Sequence, residues 1–265
     1  MIDIKDAKEK FRIFTNQYDK NNGRILQKIK HSYRVSENAK TIAQNIGLDE
    51  EKVKLAELIG LLHDIGRFEQ IKRFNMYKDS KSINHGQFGA DILIKEGLIR
   101  NYIKTSDYDQ LIYKAVYFHN KSVEKKEWTE EEKLFIRIIR DADVLDIYTV
   151  LLEEKTEIIF DNPTENIEYE KITPKVYKEF KNIYSNINVQ ENRDLLYKDE
   201  ETNIDHILTW MVYPVGLNFK ESLEIIKKNK YIDRIIDRFN YEDNETYNKM
   251  QEVKEIVNNY INKNI

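Results

Sequence analysis

The chain of 265 residues contains no cysteine. Disulfides, thiolate metal sites and cysteine nucleophiles are therefore excluded. Proline occurs 3 times and glycine 8 times. A fold of many hairpins draws heavily on both for its turns, so their scarcity speaks against an all-β protein and for long helices. Apolar runs are only a few residues long, too short to span a membrane. The opening stretch MIDIKDAKEKFRIF lacks the apolar core and cleavage site of a secretory signal, and a cytoplasmic home is expected. There is no basic excess either: 43 Lys and Arg stand against 47 Asp and Glu, for a net charge of −4. Duplex nucleic acid is not an expected partner, although a local basic pocket for a small phosphate remains open.

What is present is a globular composition, with 40% hydrophobic and 34% charged residues, in a chain long enough to bury a sizeable core. Apolar residues recur at helical spacing over about 25–46, 53–62, 83–96, 108–120 and 129–152. Gly47 stands where a helix ends, Asp49 where the next begins, and Thr129 with Glu132 reads as a capping box. The polar stretch 67–82 reads as a long loop or broken helix. Beyond Pro163, helices are expected near 174–187, 203–213, 219–238 and 246–262. The expected class is all-α. Residues 1–160 are expected to form a helical core, and 161–265 a C-terminal helical extension packed on it as one unit.

Only five histidines occur. Any one of them would ordinarily be a satisfied structural residue. Four share a context: His31 shares a face with Val35 and Ala39, His63 with Ile59 and Ala56, His85 with Gly89 and Ile92, and His119 with Ala115 and Ile112. Four helices thus each direct one imidazole inward. Buried imidazoles need partners, and one partner that serves several is a metal ion of the Mn, Fe, Co, Ni or Zn type. Asp64, next to His63 at the end of a very apolar helix, is costly to bury unpaired and joins the candidates. The stretch RDADVLD offers Asp141 or Asp143, which point about 200° apart on a helix, and spacing alone does not choose between them. His206, in NIDHILTW, reads as structural.

His31, then the pair His63-Asp64 in LIGLLHDIGR, then the Ala-Asp of IRDADVLDI, resembles the HD-domain metal-dependent phosphohydrolase superfamily over about residues 25–150. The resemblance implies an HD-domain helical bundle with additional C-terminal helices. It implies a metal held by His31, His63, Asp64 and Asp143. His85 and His119 fall where dinuclear relatives carry two further histidines, so one or two divalent ions are implied, with Asp64 as the bridge. The chain has no Gly-Tyr-Pro, which disfavours the cyclic-dinucleotide phosphodiesterase branch. The implied activity is cleavage of a phosphate monoester or diester, preferably of a nucleotide, by a metal-activated hydroxide. An HD-fold diiron oxygenase and a regulatory module without turnover are the alternatives. Asp64 and Arg67 are the catalytic candidates. Arg67, Lys72, Arg73 and Lys81 are the candidates for binding phosphate, with Arg34, Arg140, Asn84 and Tyr77 behind them.

Overall fold

The computed structural model describes residues 2–76, 79–121, 123–160, 167–185, 196 and 199–265. Tyr77 lies outside them. Among the described residues there are helices and turns but no strand. They form two compact units, Met1–Asp146 and Ile147–Ile265. The division falls inside a helix, where no turn former marks it.

In the first unit, α1 (Ile4–Thr15) begins at Asp3, whose carboxylate accepts from the Asp6 N–H. It buries Ala7, Phe11 and Thr15. The sequence expectation began only at Ile25, so α1 is an addition. α2 (Gly23–Asn45) is capped by Asn22 and buries Ile25, His31, Val35, Ala39 and Ile42 along one side. α3 (Glu50–Leu62) is capped by Asp49 and is buried almost all round from Val53 to Leu62. Gly60 makes the α2–α3 approach possible: a Cβ there would stand 2.9 Å from the Val35 carbonyl oxygen.

Of the two readings of 67–82, a long loop or a broken helix, the structure has the second: it opens as a helix, α4 (Ile65–Phe74). Its polar composition hides a three-residue stripe, Ile65, Phe68 and Ile71, all buried. Asn75, in the left-handed region at φ 52°, ends it. A single 3-10 turn, Asp79–Lys81, follows. The third expected helix is shorter than its pattern: α5 (His85–Ala90) runs into a π-helical turn, Asp91–Lys95. α6 (Asp109–Phe118) and α7 (Glu130–Glu153) match expectation, and the Thr129–Glu132 capping box forms in both directions.

The second unit contains the last turns of α7, then α8 (Thr156–Ile159), α9 (Pro174–Ser185), α10 (Asn203–Trp210), α11 (Lys220–Lys228), α12 (Tyr231–Ile236) and α13 (Asn244–Lys263). The stretch expected as one helix over 219–238 is two, broken at Lys230, which takes φ 51°. Tyr148, Phe180, Leu208, Ile226, Ile235 and Val257 fill its core. Asp205, fully buried, accepts from the Thr173 N–H and Oγ1 at 2.8 and 2.6 Å and closes the capping box that starts α10. His206 lies beside Trp210 and Phe160, with Glu200 3.1 Å from its Nδ1. No helix among the described residues is long and apolar enough to cross a membrane.

Candidate metal centre

Five elements of the first unit meet at one buried cluster. α2 supplies His31, and the α3–α4 junction supplies His63 and Asp64. α5 begins with His85, His119 caps the C-terminus of α6, and α7 supplies Asp143. The four histidines and Asp64 are no more than 5% exposed.

The four rings are held in the same way. The Nδ1 atoms of His63 and His119 lie 2.7 Å from the carbonyl oxygens of Gly60 and Val116, in the last turns of their own helices. His31 Nδ1 lies 2.7 Å from Asp146 Oδ2, and His85 Nδ1 lies 2.6 Å from Asp79 Oδ2. Carbonyls and carboxylates only accept, so each Nδ1 is a donor. The neutral ring then carries its lone pair on Nε2. The Nε2 atoms converge in pairs, His31 with His63 at 3.2 Å and His85 with His119 at 3.0 Å.

Two lone pairs facing each other repel unless a cation lies between them. For the first pair a proton can serve. Burial and the Lys28 charge oppose a proton on His31, but the hydrogen bonds it donates to Asp143, Asp146 and Asp64 outweigh them and raise its pKa to about 10. The second pair has no such proton. Burial, aided by the charges of the neighbouring histidines, pushes His119 down to about 3, and burial with the Arg67 charge also lowers His85. Two neutral imidazoles at this spacing suit one metal ion: nitrogens bonded at about 2.0–2.1 Å stand roughly 3 Å apart.

The carboxylates complete the pattern. Asp64 Oδ2 is 3.4 Å from His31 Nε2 and 3.7 Å from His63 Nε2. Its other oxygen is 3.5 Å from His85 Nε2 and 3.7 Å from His119 Nε2, and this buried Oδ1 has no hydrogen-bond partner. An unsatisfied buried carboxylate oxygen is costly, and a cation shared with the two histidines removes the cost. Burial alone would raise the Asp64 pKa, but Lys28 and then the histidines hold it well below the usual carboxylate range. Asp143 Oδ1 lies 3.1 Å from His31 Nε2 and 3.7 Å from His63 Nε2, and its side chain is 25% exposed. Three ligand triplets result: His31, His63 and Asp64; His63, His119 and Asp143; Asp64, His85 and His119. The donor set fits divalent metal. Each imidazole also has the carboxylate or carbonyl behind it that metal-binding histidines normally carry.

The structure places Asp143, not Asp141, beside the histidines. Asp141 is buried, 1% exposed, and the ligand groups take in Asp143. Asp143→Ala is expected to weaken binding of the ion at His31 and His63 by more than the roughly 10–100-fold that loss of an outer partner costs. Asp141→Ala should keep the ion and lose stability instead. Metal content after equilibrium dialysis, with a melting curve for each variant, checks this; metal lost only from Asp141→Ala would reverse the assignment.

Arg67 reaches the cluster. Its Nη1 donates to Asp79 Oδ1 at 2.8 Å and Gln70 Oε1 at 2.7 Å, and its Nε lies 3.8 Å from Asp64 Oδ1. Lys72 and Arg73 are turned elsewhere. Lys72 lies 3.4 Å from Glu69 and over the Tyr18 ring, while Arg73 pairs with Glu69 at 3.0 Å and covers Phe88. The reason is the helix α4, which sets both residues three and four places from Glu69 and away from the Arg67 side. Lys81 is exposed in the 3-10 turn. Arg34 grips Asp146 with Nε and Nη2, Arg140 donates to the Phe118 and Val123 carbonyls, and Asn84 caps α5.

Sequence reasoning missed three residues. Lys28 lies 2.7 Å from Asp64 Oδ2; its one available signal is its place three residues before His31. Asp146 holds His31 and is three residues after Asp143. Asp79 holds His85 and Arg67 from a turn that carries no periodic signal; burial would raise its pKa, but the hydrogen bond from His85 and the Arg67 charge keep it well below the usual range.

The two pairs should take up metal with different proton counts. An ion at His31 must displace a proton held with a pKa of about 10, so its affinity should fall about tenfold per pH unit as pH drops from 9 to 6. At pH 7 and above an ion at His85 and His119 meets rings whose pKa values burial has lowered, and should release far fewer protons. Calorimetric titration in buffers of different ionisation enthalpy measures both; equal proton release at the two places would contradict the protonation scheme.

The HD domain family model matches residues 29–148. Neither the curated proteins nor the solved structures gave a match. The matched span runs from just before His31 to just past Asp146 and includes all six candidate ligands, on helices or at their ends. Over residues 29–148 the chain is similar to the HD domain family.

Proposed function

We propose that this protein is a metal-dependent phosphohydrolase that uses the His31, His63, Asp64, Asp143 and Asp64, His85, His119 places for two divalent ions. The observation that carries the reading is the convergence of two neutral imidazole nitrogens on one unsatisfied Asp64 oxygen, 3.5 and 3.7 Å away. Divalent ions bound there would activate water near neutral pH and neutralise phosphate oxygens. The chain's own residues do the positioning. Asp146 and Asp79 fix the tautomers of His31 and His85. Gly60 and Val116 do the same for His63 and His119. Arg67, held by Asp79 and Gln70, contributes a cation on the His85 side suited to a phosphate oxygen. A small phosphate ester, preferably a nucleotide, is the proposed substrate.

The test has two steps. Metal analysis of protein purified without added metal is followed by a monoester and diester screen with Mn, Fe, Co and Ni. Metal-dependent release of phosphate or of a monoester supports the reading. Full metal loading with no turnover across the screen would sink it.

A further inference from the structure

Lys28 donates directly to a candidate metal ligand, at an oxygen that an ion between His31 and His63 would take. Its Nζ lies 2.7 Å from Asp64 Oδ2, the same oxygen that faces His31 and His63 Nε2 at 3.4 and 3.7 Å. The side chain is 17% exposed, on α2 one turn before His31. Arg67 differs: its guanidinium is engaged with Asp79 and Gln70, away from the oxygen between His31 and His63. An ammonium and a divalent ion on one carboxylate oxygen repel each other. The ammonium is the mobile partner, a point charge on a flexible four-carbon stem that already reaches solvent.

We propose that Lys28 is a place-holding lysine. Its ammonium sits on Asp64 Oδ2 while the metal place is empty, leaves that oxygen when the ion arrives, and then anchors an anionic oxygen of the substrate beside the ion. The anchoring half rests on the phosphohydrolase reading; the place-holding half does not. Lys28 thereby keeps the buried Asp64 carboxylate paired in the metal-free protein. On loading, its charge passes to the ligand.

The experiment uses the full chain and two readouts that need no turnover. In Mn titration calorimetry, Lys28→Met and Lys28→Gln should each bind the ion at His31 and His63 about tenfold more tightly than wild type. Gln keeps a hydrogen-bond donor to Asp64 but no charge, so a merely structural lysine would be rescued by it and show no gain. Lys30→Met, at an exposed neighbour on the same helix, should not change. With Mn-loaded protein, inorganic phosphate should bind at least tenfold more weakly to Lys28→Met than to wild type, and Lys28→Arg should restore most of the loss. Unchanged or weaker Mn binding in both neutral variants overturns the place-holding role. Equal phosphate binding by wild type and Lys28→Met overturns the anchor. If loaded wild type binds no phosphate at all, the phosphohydrolase reading and the anchor fall together, while the Mn titration still decides the place-holding role.

Discussion

Asp64→Ala is expected to empty both metal places at once and to take hydrolysis to background. The reason lies in the two oxygens: Oδ2 faces His31 and His63, and Oδ1 faces His85 and His119, at 3.4 to 3.7 Å. One carboxylate serves each ion. By contrast, His85→Ala or His119→Ala should remove one ion and leave the other, because His31, His63 and Asp143 keep their own donors. Metal per chain, measured after dialysis against excess Mn, separates the cases. Activity alone does not, since a histidine that touched only phosphate would also be missed in catalysis. Asp64→Ala also removes a carboxylate that Lys28 and a protonated His31 share, and taking one partner from a buried charge cluster is costly. The metal-free variant should therefore melt earlier than metal-free wild type. A variant that still holds two ions would show that Asp64 is not the bridge, and an unchanged count in both histidine variants would reduce the centre to one ion.

The second large effect is expected at an uncharged residue, Gly66, between Asp64 and Arg67. At Gly66→Ala the new Cβ would stand 2.4 Å from the His85 carbonyl oxygen and 2.6 Å from the Gly89 amide nitrogen. Both are backbone atoms of α5, so no side chain can swing aside. Alanine gains at most about 1 kcal/mol of helix propensity over glycine. Forcing two helices apart in a packed core costs typically about 1–3 kcal/mol, and more where backbone must move. The overlap wins, and a fall in Tm of roughly 5–10 °C is expected. Relief of the overlap displaces α5, and His85 is its first residue. The ion at His85 and His119 should be lost or weakened while the ion at His31 and His63 is retained. Calorimetric melting and metal counting on Gly66→Ala check both halves. An unaltered Tm with full metal loading would mean that α4 and α5 do not approach this closely.

The same glycine shows where sequence reading stops. In LLHDIGR it marks only a break after an apolar helix, with a polar stretch following. In the structure it lies inside α4, and what it provides is room for another helix nineteen residues further on. Nor could the polar composition of 67–82 choose between a loop and a broken helix, because three apolar residues suffice to bury one side of a ten-residue helix when a neighbour covers it. Lys72 and Arg73 were attractive as phosphate ligands for want of that helix. Once it forms, Glu69 takes both.

The sequence by itself determined the all-helical class, the starts of α2, α3 and α7, and the inward direction of four histidines. These are local properties: caps, turn formers and a period of about 3.6 residues act within one helix and can be read from it. Only the tertiary structure decided which histidines pair, which Asp64 oxygen faces each pair, and that Asp143 rather than Asp141 stands beside His31. It also decided that Asp146, 115 residues away, fixes the His31 tautomer, that Asp79 does so for His85, and that Lys28 sits on the shared carboxylate. Those relations depend on how helices distant in the chain are rotated about their axes. Rotation is set by the fit of buried side chains and by close approaches at Gly60 and Gly66, which no single helix carries in its own pattern.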